Sequence, residues 1–281
     1  MRLVTARQGE RQFAGMLDGD RVVPLRGIRE LGRQTPLSLL RDPPLAQTEA
    51  VAIGDVTLLA PVPNPGKIIC VGLNYATHVE ETGRSKETYP VLFTKFATAL
   101  VGPYDTISCP PESGQVDYEA ELAVVIGEPA RRIGRRDAPS VIAGYAVAND
   151  VTMRDFQYKT HQWLQGKSWD ASTPLGPYLV TADELGGSLD LNISLTLNGD
   201  VMQQANTRQM IFDVPRLVSI VSEFTTLLPG DVILTGTPGG VGYRREPQVF
   251  LRPRDVVSVT IEGVGTIENT VIADVAGGPV R

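Results

Sequence analysis

Three carboxylates stand at every second position in VDYEAELAVVIG, residues 116 to 127: Asp117, Glu119 and Glu121. On an extended chain, side chains alternate between faces, so all three would project from one side, opposite Val116, Tyr118, Ala120, Leu122 and Val124. Like charges stacked along one strand face repel unless water or a cation lies between them. Either this face is solvated or it is a site. A second apolar run, VIAGYAVANDVTMRD, reaches Asp150 at its polar end, where an acid could also serve as a helix N-cap. Glu119, Glu121 and Asp150 would together make an oxygen-only ligand set suited to Mg²⁺ or Mn²⁺. With only two histidines and two cysteines in the chain, a multi-histidine or thiolate centre has too few ligands.

Other residues offer acid–base and charge chemistry. In NYATHVEETG, a helical turn would set His78 and Glu81 at i and i+3 on one side, as a general base with an orienting carboxylate or as a surface ion pair. Lys167, just before an apolar run, reads as a solvated lysine or as a buried cation facing a developing enolate. Arg154 and Gln157, about one turn apart, are helix surface or substrate contacts. The loop in VILTGTPGGVG lacks the Lys-Ser/Thr of a phosphate-binding loop and the spacing of a dinucleotide loop. It is a turn, or a place where Gly236 and Thr237 offer an N–H and a hydroxyl to a carboxylate. Cys70, in the apolar KIICVG, reads as a small buried residue.

The elements that must position these residues are mostly strands. KIICVGL, ELAVVIG, VIAGYAVAN, GPYLVT, LNISLTLNG, DVILTG, DVVSVTIEGVG and GTIENTVI have strand character. Helical patterns are fewer: about 35–40, 151–165, and 211–227 despite Pro215. Regular strand–helix alternation is missing, so the fold class is mixed α+β and β-rich rather than a doubly wound sheet. A hairpin is expected around Asp18-Gly19. The proline-dense PVPNPG (61–66) divides a small N-terminal domain, residues 1–60, from a main domain, 61–281.

A net charge of −6 argues against nucleic acid as a partner, and no apolar run approaches a membrane span. The first residues lack the apolar core of a signal peptide, which gives the expectation of a cytoplasmic protein.

Six stretches in order, VGLNYATHVEETG, VDYEAELAVVIG, GYAVANDVTMRDFQ, GKSWDASTPLGPYLVT, LTLNGDVMQQANTRQMIFDVP and LLPGDVILTGTPGGVG, resemble the fumarylacetoacetate hydrolase family. The resemblance runs from about Lys67 to Gly265. It implies a β-roll-like catalytic domain holding a divalent metal on Glu119, Glu121 and Asp150. It also implies a lid around 74–90 carrying a His78–Glu81 dyad, Lys167 and Thr237 near a small 2-oxo acid substrate, and a homodimer. Two departures stand out: FTKFATALVGP, around Lys95, replaces the family's frequent Lys-Pro pattern, and Thr-Pro-Gly-Gly replaces Thr-Pro-Ala-Gly. The resemblance implies hydrolysis of a carbon–carbon bond in an acylpyruvate or related β-diketo acid. The alternative is oxaloacetate-type decarboxylation, or isomerisation of a 2-hydroxydienedioate in aromatic catabolism. Arg84, Lys86 or Arg154 are candidates for a distal carboxylate.

Overall fold

The computed structural model describes residues 1–83, 88–186 and 189–274. Its framework is a 12-stranded sheet beside a five-stranded one. In the large sheet, Arg2–Gln8 pairs antiparallel with Thr173–Thr181, which pairs with Ile142–Asn149, then Ala120–Ile126, Val232–Leu234, Ile68–Gly72 and Val91–Lys95. The N-terminal residues thus extend the same sheet that carries the main domain. The Asp18-Gly19 hairpin is present, with Asp18 opposite Arg21 and Gly19 at φ 58°. The smaller sheet runs Asp200–Asn206, Asn192–Leu197, Val256–Ile261, Gly265–Ala273 and Ile107–Cys109. All eight expected strands form.

Five α-helices are present among the described residues: α1 (Leu37–Arg41), α2 (Ala76–Thr82), α3 (Arg154–Gln157), α4 (Leu164–Lys167) and α5 (Val214–Phe224). α5 starts where Asp213 accepts the Arg216 N–H at 2.9 Å with Pro215 in the first turn, the position proline tolerates best. Its Val214, Leu217, Val218 and Val221 recur at helical spacing and are buried in one core with Leu122, Val124, Ile193 and Val259. The single helix expected over 151–165 is not formed. That span divides into a short strand, Thr152–Met153, paired with Val116–Asp117, then α3, a loop, and α4. Pairing to a second strand outweighs local helical pattern here, because it satisfies backbone groups that would otherwise be buried unpaired. In α1 the Thr35 hydroxyl bonds to Gly32 rather than capping the helix.

Ala120–Ile126 is buried along its whole length. Leu122 and Val124 enter the core shared with α5 and the smaller sheet; Ala123 and Val125 enter a second core with Leu3, Leu31, Leu40 and Leu179. A central strand covered on both faces has no room for a solvated row of charge. The expectation that Asp117, Glu119 and Glu121 share one continuous strand face is also corrected. The strand breaks after Asp117 and resumes at Ala120, so Asp117 pairs with Thr152 in a separate two-stranded ribbon. No helix among the described residues is long and apolar enough to cross a membrane.

Candidate active site

Register brings the acids together. Ala120 lies opposite Asn149, so Glu119 and Asp150 are neighbours across the ladder, and Asp150 N–H donates to the Glu119 carbonyl at 2.9 Å. The Glu119 N–H donates to Asn149 Oδ1 at 3.0 Å. Glu121 points to the same face two residues on. One carboxylate oxygen from each of Glu119, Glu121 and Asp150 lies within 4.8 Å of the others, and all three residues are buried.

Three buried cations surround these acids. Lys95 Nζ lies 2.6 Å from Asp150 Oδ1 and donates to the Val151 carbonyl at 3.0 Å. Lys167 Nζ bridges Glu119 Oε2 at 2.7 Å and Asp150 Oδ2 at 2.9 Å. Arg154 reaches Asp117 Oδ2 at 2.8 Å and Glu119 Oε1 at 2.7 Å. Lys95, in the segment that departs from the family pattern, is therefore built into the centre. With every carboxyl ionised, four acids against three cations would leave one excess negative charge, and Glu121 is the acid with no cation in ion-pair range.

The proton affinities follow this layout. Burial raises the Glu119 carboxyl, but Lys167 and then Arg154 outweigh it and hold the group down at about 2. Burial, then Asp150 and Glu119, push Glu121 well above the usual carboxylate range. Desolvation works against the Lys167 charge, yet Asp150 and Glu119 raise its proton affinity above the ordinary lysine value. Cys70 has its thiol pushed up by burial first and Asp150 second, which keeps it a protonated packing residue.

A buried trio of oxygens with an uncompensated charge fits a divalent cation, because the ion supplies the missing positive charge to Glu121. The residues that would hold it are Glu119, Glu121 and Asp150. Asp117 takes a different part. Its carboxylate accepts N–H bonds from Gly242 and Tyr243 at 2.8 and 3.0 Å and anchors Arg154, tying the ribbon to the glycine-rich loop.

The dyad forms on α2. His78 Nδ1 lies 2.6 Å from Glu81 Oε1, and Glu81 Oε2 accepts the Gly240 N–H at 2.7 Å. With Nδ1–H donating to Glu81, Nε2 is the basic nitrogen. The helix is seated by Asn74, whose amide donates to the Phe212 and Thr235 carbonyls at 3.0 and 2.7 Å and accepts the Phe212 N–H at 2.7 Å. Gly236 passes so close to Asn74 that a Cβ there would lie 2.7 Å from the Asn74 Cβ, at φ 98°.

His78, Glu119, Glu121, Lys167, Thr237 and Arg244 line one cavity, walled by Phe93, Trp163 and Tyr243. Arg154 and Gln157 also reach it, but Arg154 is committed to Asp117 and Glu119, and its Nη1 donates to Gln157 Oε1 at 2.9 Å. Arg154 and Gln157, expected as substrate contacts, thus line the cavity while bonded to one another and, through Arg154, to the acids. Gly236 is corrected: its N–H donates to Glu121 Oε2 at 2.7 Å, a carboxylate of the chain itself. Arg84 and Lys86 lie outside the described residues. Sequence reading missed Asn74, Gln203 and Arg244. Gln203 is the one buried position in Asp200–Asn206 and it is polar, which burial shows and the sequence does not.

The fumarylacetoacetate (FAA) hydrolase C-terminal family model matches residues 67–272. The chain is 46% identical over 255 residues to the mitochondrial oxaloacetate tautomerase Fahd2a of Rattus norvegicus, covering 90% of this chain and 82% of that protein. Among solved structures, 5-carboxymethyl-2-hydroxymuconate delta-isomerase from Mycobacterium smegmatis superposes with a TM-score of 0.83 at 36% identity, over 98% of this chain and 100% of that one. The 2-hydroxyhepta-2,4-diene-1,7-dioate isomerase from Mycobacterium marinum gives 0.82 at 34% identity, over 99% and 100%. The mitochondrial relative overturns the expectation of a cytoplasmic protein. Compartment is written in addressing signals that cellular receptors read, not in the packed core that these proteins share. The shared motifs, the match over 67–272 and the common fold make this chain a member of the fumarylacetoacetate hydrolase family of enzymes.

Proposed function

We propose that the enzyme interconverts the keto and enol forms of a short 2-oxo dicarboxylic acid of the oxaloacetate type, with Mg²⁺ or Mn²⁺ as cofactor. The observation that carries this reading is one oriented base, His78 held by Glu81, lining the same cavity as Glu119 and Glu121 of an oxygen-only acid cluster that could hold a divalent ion. Tautomerisation needs little more: a proton leaves the carbon beside the 2-oxo group and another arrives on its oxygen. The named relatives, a tautomerase and two isomerases of hydroxydienoic acids, perform proton relocations of this kind, which supports the same reading.

When bound, the divalent ion would act as a Lewis acid toward the 2-oxo acid. His78 Nε2 would take the proton from the carbon, and Glu81 would stabilise the imidazolium until the proton is returned to oxygen. Lys167, fixed between Glu119 and Asp150, would hold a positive charge beside the oxygen where negative charge gathers. Arg244 fits the far carboxylate. Its guanidinium stacks 5.1 Å from the Tyr243 ring centroid at the cavity rim and has no carboxylate partner among the described residues.

The dyad also supports a second reading, hydrolysis of an acylpyruvate, in which His78 would take its proton from water. One experiment divides them. Oxaloacetate enol is followed by ultraviolet absorbance with Mg²⁺ and then with excess chelator, while proton NMR follows oxaloacetate and, separately, fumarylpyruvate. Metal-dependent acceleration of enol loss without pyruvate formation supports tautomerisation; pyruvate from oxaloacetate would instead mark decarboxylation. Cleavage of fumarylpyruvate with no effect on oxaloacetate would overturn the first reading in favour of the second.

A further inference from the structure

Gln203 comes from the smaller sheet, is 1% exposed, and enters the seam between the acid-bearing strand and the glycine-rich loop. Its Oε1 accepts the Ala120 N–H at 2.9 Å, between the two glutamates. Its Nε2 donates to the Pro238 carbonyl at 2.8 Å and to Thr237 Oγ1 at 2.9 Å. The orientation of this amide is fixed twice over. A backbone N–H can only donate and a carbonyl can only accept, so the oxygen must face Ala120 and the nitrogen must face Pro238.

A consequence follows for Thr237. A hydroxyl has one proton and two lone pairs, and one lone pair is taken by the Gln203 amide. The Thr237 proton therefore points away from Gln203. Among the described residues it finds no acceptor, and Thr237 lines the cavity beside Lys167 and His78. We propose that Gln203 is a positioning residue: it locks the Thr237 hydroxyl as a hydrogen-bond donor into the cavity, where it holds a carboxylate oxygen of the substrate. The inference rests on the proposed 2-oxo acid function for the substrate's identity, but the polarity of the hydroxyl comes from the hydrogen-bond network alone.

Substituting Gln203→Glu tests the polarity. A carboxylate can still accept from Ala120, but its second oxygen would accept the Thr237 proton and turn the hydroxyl's lone pairs toward the ligand. The probe is oxalate, a planar dicarboxylate resembling the enolate of pyruvate, titrated by calorimetry in the presence of Mg²⁺, with KM and kcat for oxaloacetate measured beside it. Gln203→Glu and Thr237→Val should each weaken oxalate at least tenfold and raise KM more than they lower kcat. The double variant should bind no worse than the weaker single, because both changes remove the same bond. Additive losses would show that the Glu acts through its charge or through general distortion, and would overturn the proposal, as would wild-type affinity in Gln203→Glu. If that variant fails to fold, Gln203→Met enters the same cycle with the same expectation; failure of both would make Gln203 a residue of the fold alone and overturn the proposal. A protein that binds oxalate with a coupled cycle but leaves oxaloacetate untouched overturns the function and keeps this inference. Turnover of oxaloacetate with an additive cycle does the reverse, and no oxalate binding by the wild type overturns both.

Discussion

Replacing Glu121 by Gln should change the sign of its effect when Mg²⁺ is added. In the metal-free protein, Glu121 is buried beside two other carboxylates with no cation in ion-pair range. Ionised, Glu121 would repel a neighbouring carboxylate at the 4.8 Å bound of the cluster by roughly 3–4 kcal/mol at an effective dielectric constant near 20, a cost the fold meets at pH 8 either as repulsion or as the work of retaining a proton. Lys167 and the Gly236 N–H offset part of this, leaving ~1–3 kcal/mol of net cost that a neutral amide avoids while still accepting from Gly236. Spread over 281 residues, the unfolding entropy is ~0.6 kcal/mol/K, so the metal-free variant should melt ~2–5 °C above wild type at pH 8. At a hundredfold excess of Mg²⁺ over Kd, wild type should gain ~2.7 kcal/mol, or ~4–5 °C, while the variant, short of one anionic ligand, should gain little. The ranking of the two proteins therefore reverses on adding metal. Differential scanning calorimetry with chelator and with Mg²⁺ measures both numbers. A variant that melts below wild type by the same margin in both conditions, with an unchanged Mg²⁺ shift, would refute the placement of Glu121 as a metal ligand.

Four further outcomes follow from the same geometry. His78→Asn should lower turnover by ~10²–10⁴ and leave Mg²⁺ affinity intact, since His78 is not in the acid cluster; a parallel loss of metal binding would contradict that separation. Because Glu121 holds its proton in the metal-free fold above its unfolded value near 4.5, the folded state binds more protons than the unfolded one above that pH. Its contribution to stability then falls as pH rises, Mg²⁺ must displace the proton, and the Mg²⁺-induced melting shift should grow from pH 6 to pH 8; a pH-independent shift argues against it. Lys95→Met breaks a fully buried ion pair with Asp150 and should cost ~3–5 kcal/mol in urea unfolding, whereas a loss under 1 kcal/mol would mean Lys167 suffices alone. Arg244→Ala should raise KM for oxaloacetate ~10-fold with little change for a 2-oxo monoacid; equal effects on both would remove Arg244 from the far-carboxylate role.

Much of the site was legible along the chain because its parts are local. His78 and Glu81 are one helical turn apart, and the spacing that suggests the dyad is the spacing that makes it. Each of the eight apolar runs became a strand, and Glu119 and Glu121 share a face because side chains alternate along an extended backbone. What spacing could not decide was partnership between segments far apart in sequence. Asp117 keeps the same two-residue rhythm as its neighbours, yet a break in the strand gives it to Arg154 and the glycine loop instead of the cluster of Glu119, Glu121 and Asp150. The pattern over 151–165 reads as helix in isolation, and a pairing with Val116–Asp117 makes its first residues a strand. Whether Arg154 meets a substrate or an acid, and that a glutamine 83 residues from Ala120 orients Thr237, depends on the register of packed strands. Sequence thus determined which side chains were available and their local order, because backbone geometry is periodic. Only the tertiary structure decided which charges neutralise one another, because that depends on distances across the sheet and on the low dielectric of a buried seam.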